Sequence, residues 1–144
     1  MTSPLSEAKE TGQHVVAVAI VIVREGRMLA LRRAPDNLAG PGLWETVSGR
    51  VEQGEQPLAA ALREVREESG LDVRIDPRPV AAYAAERRGK PMVVILYRAE
   101  YLSGEVRISH EHDQFAWLNA AEFAGRSSLR LLCDAVASVL APES

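Results

Sequence analysis

The sequence contains a single cysteine, Cys133, among its 144 residues. No disulfide can form within the chain, so the protein is compatible with a reducing compartment. The neighbours of this cysteine, Leu132 and Val136, are apolar, which indicates a small buried side chain and not a reactive thiol. Scaffolds that are held together by intrachain disulfides are therefore excluded.

Long apolar runs and an excess of positive charge are missing as well. The longest apolar run, Val15 to Val23, is far shorter than the about 20 residues that a membrane-spanning helix needs. A net charge of −3 gives no electrostatic reason for binding nucleic acid or an anionic membrane. The first residues lack a basic region followed by an apolar stretch, so we expect a cytoplasmic protein.

Repeats, low-complexity tracts and linkers are absent from the sequence. The length suits one domain of ordinary size, large enough to bury a core. Residues 1–13 are polar and are predicted to form a flexible N-terminal tail. Residues 14–141 are predicted to form a single domain.

Runs rich in valine and isoleucine predict most of the strands. The segment His14 to Arg24 is almost continuously apolar, which predicts a strand buried on both faces. Met28 to Arg33 is predicted to return as the second strand of a hairpin, and 34–43, with two prolines and two glycines, to form a loop. Further extended segments are predicted at 44–47, 73–75, 80–86, 91–101 and 115–118.

A helix from about Gln56 to Ser69 is the most informative element of the chain. Pro57 suits its first turn and Gly70 suits its end. At about 100° per residue, one face of this helix carries three acids: Glu64, Glu67 and Glu68. A second stripe is predicted to pack on the core: Leu58, Leu62, Val65 and Ser69.

The acidic face of this helix is unfavourable unless something binds it. Like charges at i and i+4, here Glu64 and Glu68, destabilise a helix by about 0.2–0.5 kcal/mol, and the macrodipole favours cations in the last turn. Arg63 and Arg66 offset part of this cost, but a divalent cation offsets more. Mg²⁺ binds carboxylate oxygens and often shares its shell with substrate phosphates. A solvated acidic surface is the alternative interpretation.

Two shorter helices are predicted near the C-terminus. Asn119, with Glu122 three positions later, forms a capping-box pattern for the first of them. Ser127 or Ser128 is predicted to cap the last helix, whose apolar residues recur at helical spacing. Strands mixed with hairpins and a few helices predict a mixed sheet covered by helices, an α/β fold.

The stretch from Gly49 to Leu71 resembles the complete Nudix box. Its pattern is Gly49, five residues, Glu55, seven residues and then Arg63-Glu64-Val65-x-Glu67-Glu68-x-Gly70-Leu71. The flanking pattern is similar too, so the resemblance extends from about Val15 to about Leu140. It implies a MutT-like member of the family with a Nudix-like α/β/α sandwich and a mixed β-sheet.

The resemblance implies Mg²⁺-dependent hydrolysis of a diphosphate linkage in a nucleoside diphosphate joined to another moiety, with Mn²⁺ as a second candidate ion. The binding partner is then a small nucleotide diphosphate derivative. A homodimer is the assembly that we consider for this protein. Two other functions stay open. One is a non-catalytic nucleotide-sensing domain, although such domains tend to lose box acids. The other is an isomerase of allylic diphosphates, which normally carries additional acid, cysteine and histidine machinery.

The resemblance also implies which box residues act. It assigns metal binding to the carboxylates of Glu64, Glu67 and Glu68 and to the backbone carbonyl of Ser48. Arg63 is expected to orient the acids by pairing with Glu55 or Glu67, and Glu64, Arg63 and Glu55 are the catalytic candidates of the box. Family members often have a glycine where Ser48 stands, but a carbonyl ligand needs no particular side chain.

A further acid is expected from the segment His110 to Asp113. By resemblance we favour Glu111 as an additional metal ligand or general base, with Asp113 as the second choice. His110 and His112 are interpreted as surface histidines and not as a transition-metal site.

Three arginines and a tryptophan are the candidates for substrate binding. A guanidinium group presents a bidentate fork to phosphate oxygens, which favours phosphate contacts for Arg32, Arg33 and Arg50; exposed solubilising charges are the alternative. Trp44 is a candidate for stacking on a base, with packing at the sheet edge as the alternative. Some subfamilies that act on ADP-ribose or dinucleoside polyphosphates carry a proline or tyrosine after the box. This chain has Arg87 there, which disfavours both.

Overall fold

The fold is described from a computed structural model for residues 13–142, so the predicted tail, 1–13, lies outside the described residues apart from Gln13. The strands are β1 Val15–Arg24, β2 Arg27–Arg33, β3 Trp44–Glu45, β4 Val47–Arg50, β5 Asp72–Ile75, β6 Ala81–Arg87, β7 Lys90–Ser103 and β8 His112–Leu118. The helices are α1 Pro57–Ser69, α2 Ala120–Arg126 and α3 Arg130–Leu140. In the described range, no helix is long and apolar enough to cross a membrane.

These eight strands form one mixed sheet. β1 lies at its centre, parallel to β7 and antiparallel to β2 and β4. Beyond β2 lie β3 and β8, and beyond β7 lie β5 and β6, all antiparallel to their neighbours. The single parallel pair inside antiparallel neighbours makes the sheet mixed, which confirms the predicted α/β class.

Both faces of the sheet are covered by helices. Residues 17–22 of β1 are all buried, which confirms the prediction of a strand buried on both faces. One core lies under α1 and takes from β1 the side chains of Val18, Ile20 and Ile22. The other lies under α2 and α3 and takes from β1 Ala19 and Val21. Each fully buried Val or Ile contributes about 1.5–3 kcal/mol to the free energy of unfolding. With one core on each face of the sheet, the molecule is the predicted α/β/α sandwich.

α1 begins and ends close to its predicted positions. Pro57 occupies the first turn, where its missing N–H leaves no backbone acceptor unpaired. Gly70 ends the helix with φ 69°, in the left-handed region. Its N–H donates to the carbonyls of Val65 and Arg66, which satisfies groups that a helix end otherwise leaves free.

The orientation of α1 differs from the prediction. Leu62, assigned to the core stripe, is 39 % exposed, whereas Glu64 and Glu68 are buried. The small side chains of Ala60 and Ala61 face the sheet instead. Two of the three box acids therefore lie against the sheet and not on an exposed face of the helix.

The capping box of α2 is confirmed. The Asn119 Oδ1 atom accepts from the N–H of Glu122 at 2.8 Å, and Glu122 Oε1 accepts from the N–H of Asn119 at 2.9 Å. These two reciprocal bonds satisfy donors that the first turn leaves free.

The predicted serine cap of α3 is wrong. Leu129 stands at the cap position, and no side chain caps the helix. The Ser127 hydroxyl donates instead to the carbonyl of Trp44 at 2.7 Å and accepts from the N–H of Leu129 at 3.3 Å. It therefore fixes the α2–α3 connection to β3. Cys133 of α3 is buried, as predicted.

Candidate active site

The acids of α1 face a groove that is bounded by β4 and by the segment before β8. The groove has a volume of about 680 Å³. The predicted site residues that line it are Arg33, Ser48, Arg50, Arg63, Glu64, Glu67, Glu68 and Glu111. Glu55 lies behind Arg63 and contacts it, while Arg32 and Trp44 are not part of the groove lining. The structure thus brings together most of the predicted site.

Gly49 makes room for the carboxylate of Glu64. A Cβ atom at position 49 would lie 2.1 Å from the Glu64 Cδ atom, whereas real Cβ atoms essentially never come within 3.0 Å of other heavy atoms. The backbone of β4 and the carboxylate therefore occupy adjoining space that admits no side chain. This close approach explains why the box has glycine at this position.

Ser48 directs its backbone toward Glu68. Its N–H donates to Glu68 Oε1 at 2.9 Å. The N–H of Val51 bonds to the carbonyl of Val16 on β1, and bonded pairs alternate along an antiparallel ladder. Ser48, opposite Ala19, therefore turns both its N–H and its carbonyl away from β1. The carbonyl faces the same edge as the Glu68 carboxylate.

Arg63 connects the acids of the box. Its Nε and Nη2 atoms donate to Glu55, both at 2.9 Å. Its Nη1 atom donates to Glu64 at 2.7 Å and to Glu67 at 3.4 Å, and Nη2 also reaches the carbonyl of Arg50 at 3.0 Å. Both predicted pairings are present, and the contact with Glu64 is an addition. These hydrogen bonds lower the pKa of Glu55 to about 2 and fix the Glu64 carboxylate beside Gly49.

Burial raises the pKa of the inner acids. Desolvation, the charge of Glu45 and a hydrogen bond shared with Glu111 raise the pKa of Glu68 to about 10. Desolvation is also the main cause that raises the pKa of Glu64, with a smaller electrostatic contribution from Glu111. Glu111 therefore lies beside the box acids. Such a group of carboxylates is unfavourable when ionised, unless a cation joins it.

The donor chemistry of the groove suits a hard divalent cation. Its carboxylates and the Ser48 carbonyl offer oxygen atoms, the donors that Mg²⁺ and Mn²⁺ prefer. Across residues 13–142, however, no three His, Cys, Asp or Glu side chains already form a metal-binding group. One oxygen of Glu64 is held by Arg63 and one of Glu68 by the Ser48 N–H. The donors fit a metal, but their carboxylates must turn to bind it.

Two predicted arginines are held by acids of the protein. Arg32 forms a two-point contact with Asp113, at 2.8 Å and 2.7 Å, outside the groove. The same contact engages Asp113, so Glu111 and not Asp113 is the acid of this segment that lines the groove. Arg33 lines the groove, but its guanidinium donates to Glu45 and to a backbone carbonyl. Arg50 is exposed and forms no ion pair among the residues described.

Trp44 packs within the fold, which was the alternative to stacking on a base. Its ring packs against the core under α2 and α3, and the Arg126 guanidinium lies 5.0 Å from the ring centroid. Both contacts occupy the tryptophan within the fold.

A comparison of the sequence with known protein families identifies the family of this chain. Residues 13–133 match the sequence profile of the NUDIX domain. The chain belongs to the Nudix family. A MutT-like protein from Streptomyces ambofaciens is 39 % identical over 127 residues, which cover 88 % of this chain and 77 % of the relative. The CTP pyrophosphohydrolase of Escherichia coli (strain K12) is 31 % identical over 108 residues, 75 % of this chain and 78 % of the relative.

The fold of this Nudix hydrolase is shared with solved structures. The crystal structure of the MutT protein from Methanosarcina mazei Go1 has a TM-score of 0.78 and covers 88 % of this chain and 92 % of that chain. At 24 % sequence identity, this likeness concerns the fold alone.

A buried hydrogen-bonded pair behind the groove, Glu45 and His112, was not predicted from the Nudix resemblance. Glu45 accepts from His112 Nε2 and from Arg33 Nη2, both at 2.8 Å, and from the Ser48 hydroxyl at 3.2 Å. Burial favours a higher pKa for Glu45, but the bonds from His112 and Arg33 outweigh it and lower the pKa. His112 is 4 % exposed, so its interpretation as a surface histidine is wrong, whereas His110 is exposed. The signal in the sequence that could have revealed this pair was an acidic residue, Glu45, inside the predicted extended segment 44–47.

Replacing His112 by leucine should destabilise the Nudix hydrolase by about 1–3 kcal/mol, because it removes a donor from a buried carboxylate. His112→Gln, which keeps an amide donor near the Nε2 position, should recover part of this loss. Thermal or denaturant unfolding measures both variants. His110→Leu is the matched control and should stay within about 0.5 kcal/mol of wild type. A His112→Leu variant as stable as this control would contradict the role of the pair.

Proposed function

We propose that this Nudix hydrolase cleaves a diphosphate linkage in a nucleotide derivative with the help of a divalent cation, Mg²⁺ or Mn²⁺. The observation that carries the proposal is the groove that gathers Glu64, Glu67, Glu68 and Glu111 beside the backbone of Ser48. The printed activity of a relative, a CTP pyrophosphohydrolase, supports a small nucleotide substrate. A cytoplasmic location is part of the same proposal.

The chemistry needs charge neutralisation and an activated water molecule. A divalent cation, when bound, supplies both, by contacting phosphate oxygens and by lowering the pKa of water. One O–P bond forms from water as one P–O bond of the phosphoanhydride breaks. The two phosphate products together keep the oxygen and the protons of the water molecule.

The residues of the chain orient the acids for this reaction. Arg63, balanced by Glu55, holds Glu64 in the space that Gly49 leaves open. The N–H of Ser48 holds Glu68 at the edge of β4. Glu111 comes from the segment before β8 and shares a hydrogen bond with Glu68 of α1. We assign it the role of further ligand or general base.

Both rival functions find less support. A sensing domain does not require the acids that this chain retains, and here Arg63, Gly49 and Ser48 contact them in detail. An isomerase of allylic diphosphates uses a cysteine at its site. Cys133 is buried in the core under α3 and is not part of the groove lining.

A substrate panel tests the proposal. Nucleoside triphosphates, sugar nucleotides, dinucleotides and coenzyme A are incubated with Mg²⁺ or Mn²⁺, and phosphate-containing products are identified. We expect turnover of at least one compound, none in the presence of a chelator, and rates that rise toward alkaline pH. The raised pKa values of Glu64 and Glu68 explain that rise, since protonated carboxyls bind metal poorly. Normal metal binding without any turnover would favour the sensing domain.

Glu111→Gln should lower kcat by about 10²-fold or more, the usual contribution of a general acid–base group. Its thermal stability should stay close to wild type, because position 111 is exposed. Asp113→Asn is the matched comparison and should change kcat little, because Asp113 is paired with Arg32. An undiminished kcat in Glu111→Gln, together with a loss in Asp113→Asn, would move the role to Asp113.

A further inference from the structure

A cavity next to the acid groove is lined almost wholly by cations. Its volume is about 330 Å³, and its lining residues are Val15, Arg50, Arg87, Arg88 and Lys90. None of the four cations forms an ion pair among the described residues. Neighbouring like charges repel one another, and the chain as a whole carries a net charge of −3. The cations of this cavity have no anionic partner among the described residues, so an anionic ligand would complement them.

These cations come from the end of β4 and from the β6–β7 hairpin with its turn. Arg87 and Lys90 face each other across the β6–β7 hairpin. The two residues between them, Arg88 and Gly89, have φ of 50° and 80°, the left-handed pair that a tight two-residue hairpin needs. Arg50 ends β4, directly after the glycine that contacts Glu64. The backbone positions of the charges are therefore set by the sheet.

The cation cavity adjoins the acid groove. Arg50 and Arg87 line both of them. Arg87 and Arg88 also line a smaller cavity of about 270 Å³, together with Glu111. A ligand that lies along the acids and extends past Arg50 and Arg87 therefore reaches these cations.

We propose that Arg50, Arg87, Arg88 and Lys90 form a subsite for the terminal phosphate of a nucleoside 5′-triphosphate. This inference rests on the proposed function and names its substrate class. A diphosphate joined to a neutral sugar leaves these cations without a partner, whereas a third phosphate brings anionic oxygens into the cavity. Arginine binds such oxygens through two parallel N–H donors, and charge-assisted bonds of this kind are the strong ones.

A binding measurement tests the subsite without any turnover. Imidotriphosphate and imidodiphosphate, which resist hydrolysis because NH replaces the bridging oxygens, are titrated with Mg²⁺ present. We expect the wild type to bind imidotriphosphate at least about tenfold more tightly, which corresponds to about 1.4 kcal/mol. Arg87→Gln combined with Arg88→Gln should abolish this preference. Arg78→Gln is the control, because its side chain is 90 % exposed and lines neither the groove nor the cation cavity.

Kinetics complete the test. The double variant should raise KM for a nucleoside triphosphate about tenfold or more, with KM for a nucleoside diphosphate sugar unchanged, and Arg78→Gln should alter neither. Equal binding of the two imidophosphates by wild type, or an unchanged preference in the double variant, would overturn the subsite. Turnover of diphosphate derivatives in that case would leave the proposed function intact. A clear preference for imidotriphosphate without turnover of any nucleotide would support the subsite and overturn the proposed function.

Discussion

Glu68→Gln should lower kcat by several orders of magnitude at saturating Mg²⁺. The substitution keeps the shape and helix propensity of the side chain and removes an anionic ligand. Metal ions contribute several kcal/mol of charge stabilisation in the transition state, and each 1.36 kcal/mol is worth about tenfold in rate. The measurement is kcat of the variant against wild type on the best compound of the panel. Near-equal values would contradict a metal site on α1.

The same variant should be as stable as metal-free wild type, or more stable. The pKa of Glu68 is raised to about 10 in the folded protein, so folding favours the protonated carboxyl. The contribution of the protonated Glu68 carboxyl to the stability of the fold is complete below its ordinary pKa of about 4.5 and is lost as pH rises toward 10. Glutamine carries no charge, so the advantage of the variant should grow between these two pH values. Unfolding in the presence of a chelator measures it. A solvated acidic face predicts the same gain in stability but no loss of kcat, so kcat and not stability decides between the two.

Gly49→Ala should reduce both activity and stability. The added Cβ would lie 2.1 Å from Glu64 Cδ, so the carboxylate must leave its contact with Arg63. Overpacking of this kind costs about 1–3 kcal/mol, and a misplacement of about 1 Å at a reacting site costs about 10²-fold in rate. We therefore expect a loss of kcat of at least about 10²-fold, measured beside unfolding.

Two controls separate this clash from the general effect of removing a glycine. Gly125→Ala in α2 places its Cβ where nothing lies within 4 Å, so kcat should not change and stability should hold or rise. In a Glu64→Ala background, Gly49→Ala should lose most of its stability cost, because the clashing atoms are gone. Equal costs in both backgrounds would contradict the close approach of Gly49 and Glu64.

Local signals in the sequence predicted the elements well where a short segment decides the structure. Pro57 and Gly70 bound α1, and Asn119 with Glu122 caps α2. The burial of Glu64 and Glu68 could not be predicted in this way. Helical spacing shows which residues share a face, but the space for Glu64 comes from the glycine of β4, on another element.

The candidate site shows the same division. The box motif identified the acids of α1, but contacts between distant segments were missed. Glu45 and His112 meet only because β2 pairs with both β3 and β8. The same pairing brings Arg32 to Asp113, so two predicted site residues satisfy each other. Arg87 directly follows a predicted extended segment, 80–86, but it is the β6–β7 register that brings it to the groove.

Direct binding of Mn²⁺ tests the central claim, that the acids of α1 hold a divalent cation. Electron paramagnetic resonance can count the Mn²⁺ ions bound per chain, and their Kd, in wild type and in Glu68→Gln without nucleotide. We predict at least one bound ion in wild type and an affinity at least about tenfold weaker in the variant, a difference of about 1.4 kcal/mol. Equal affinities in the two proteins would contradict the account.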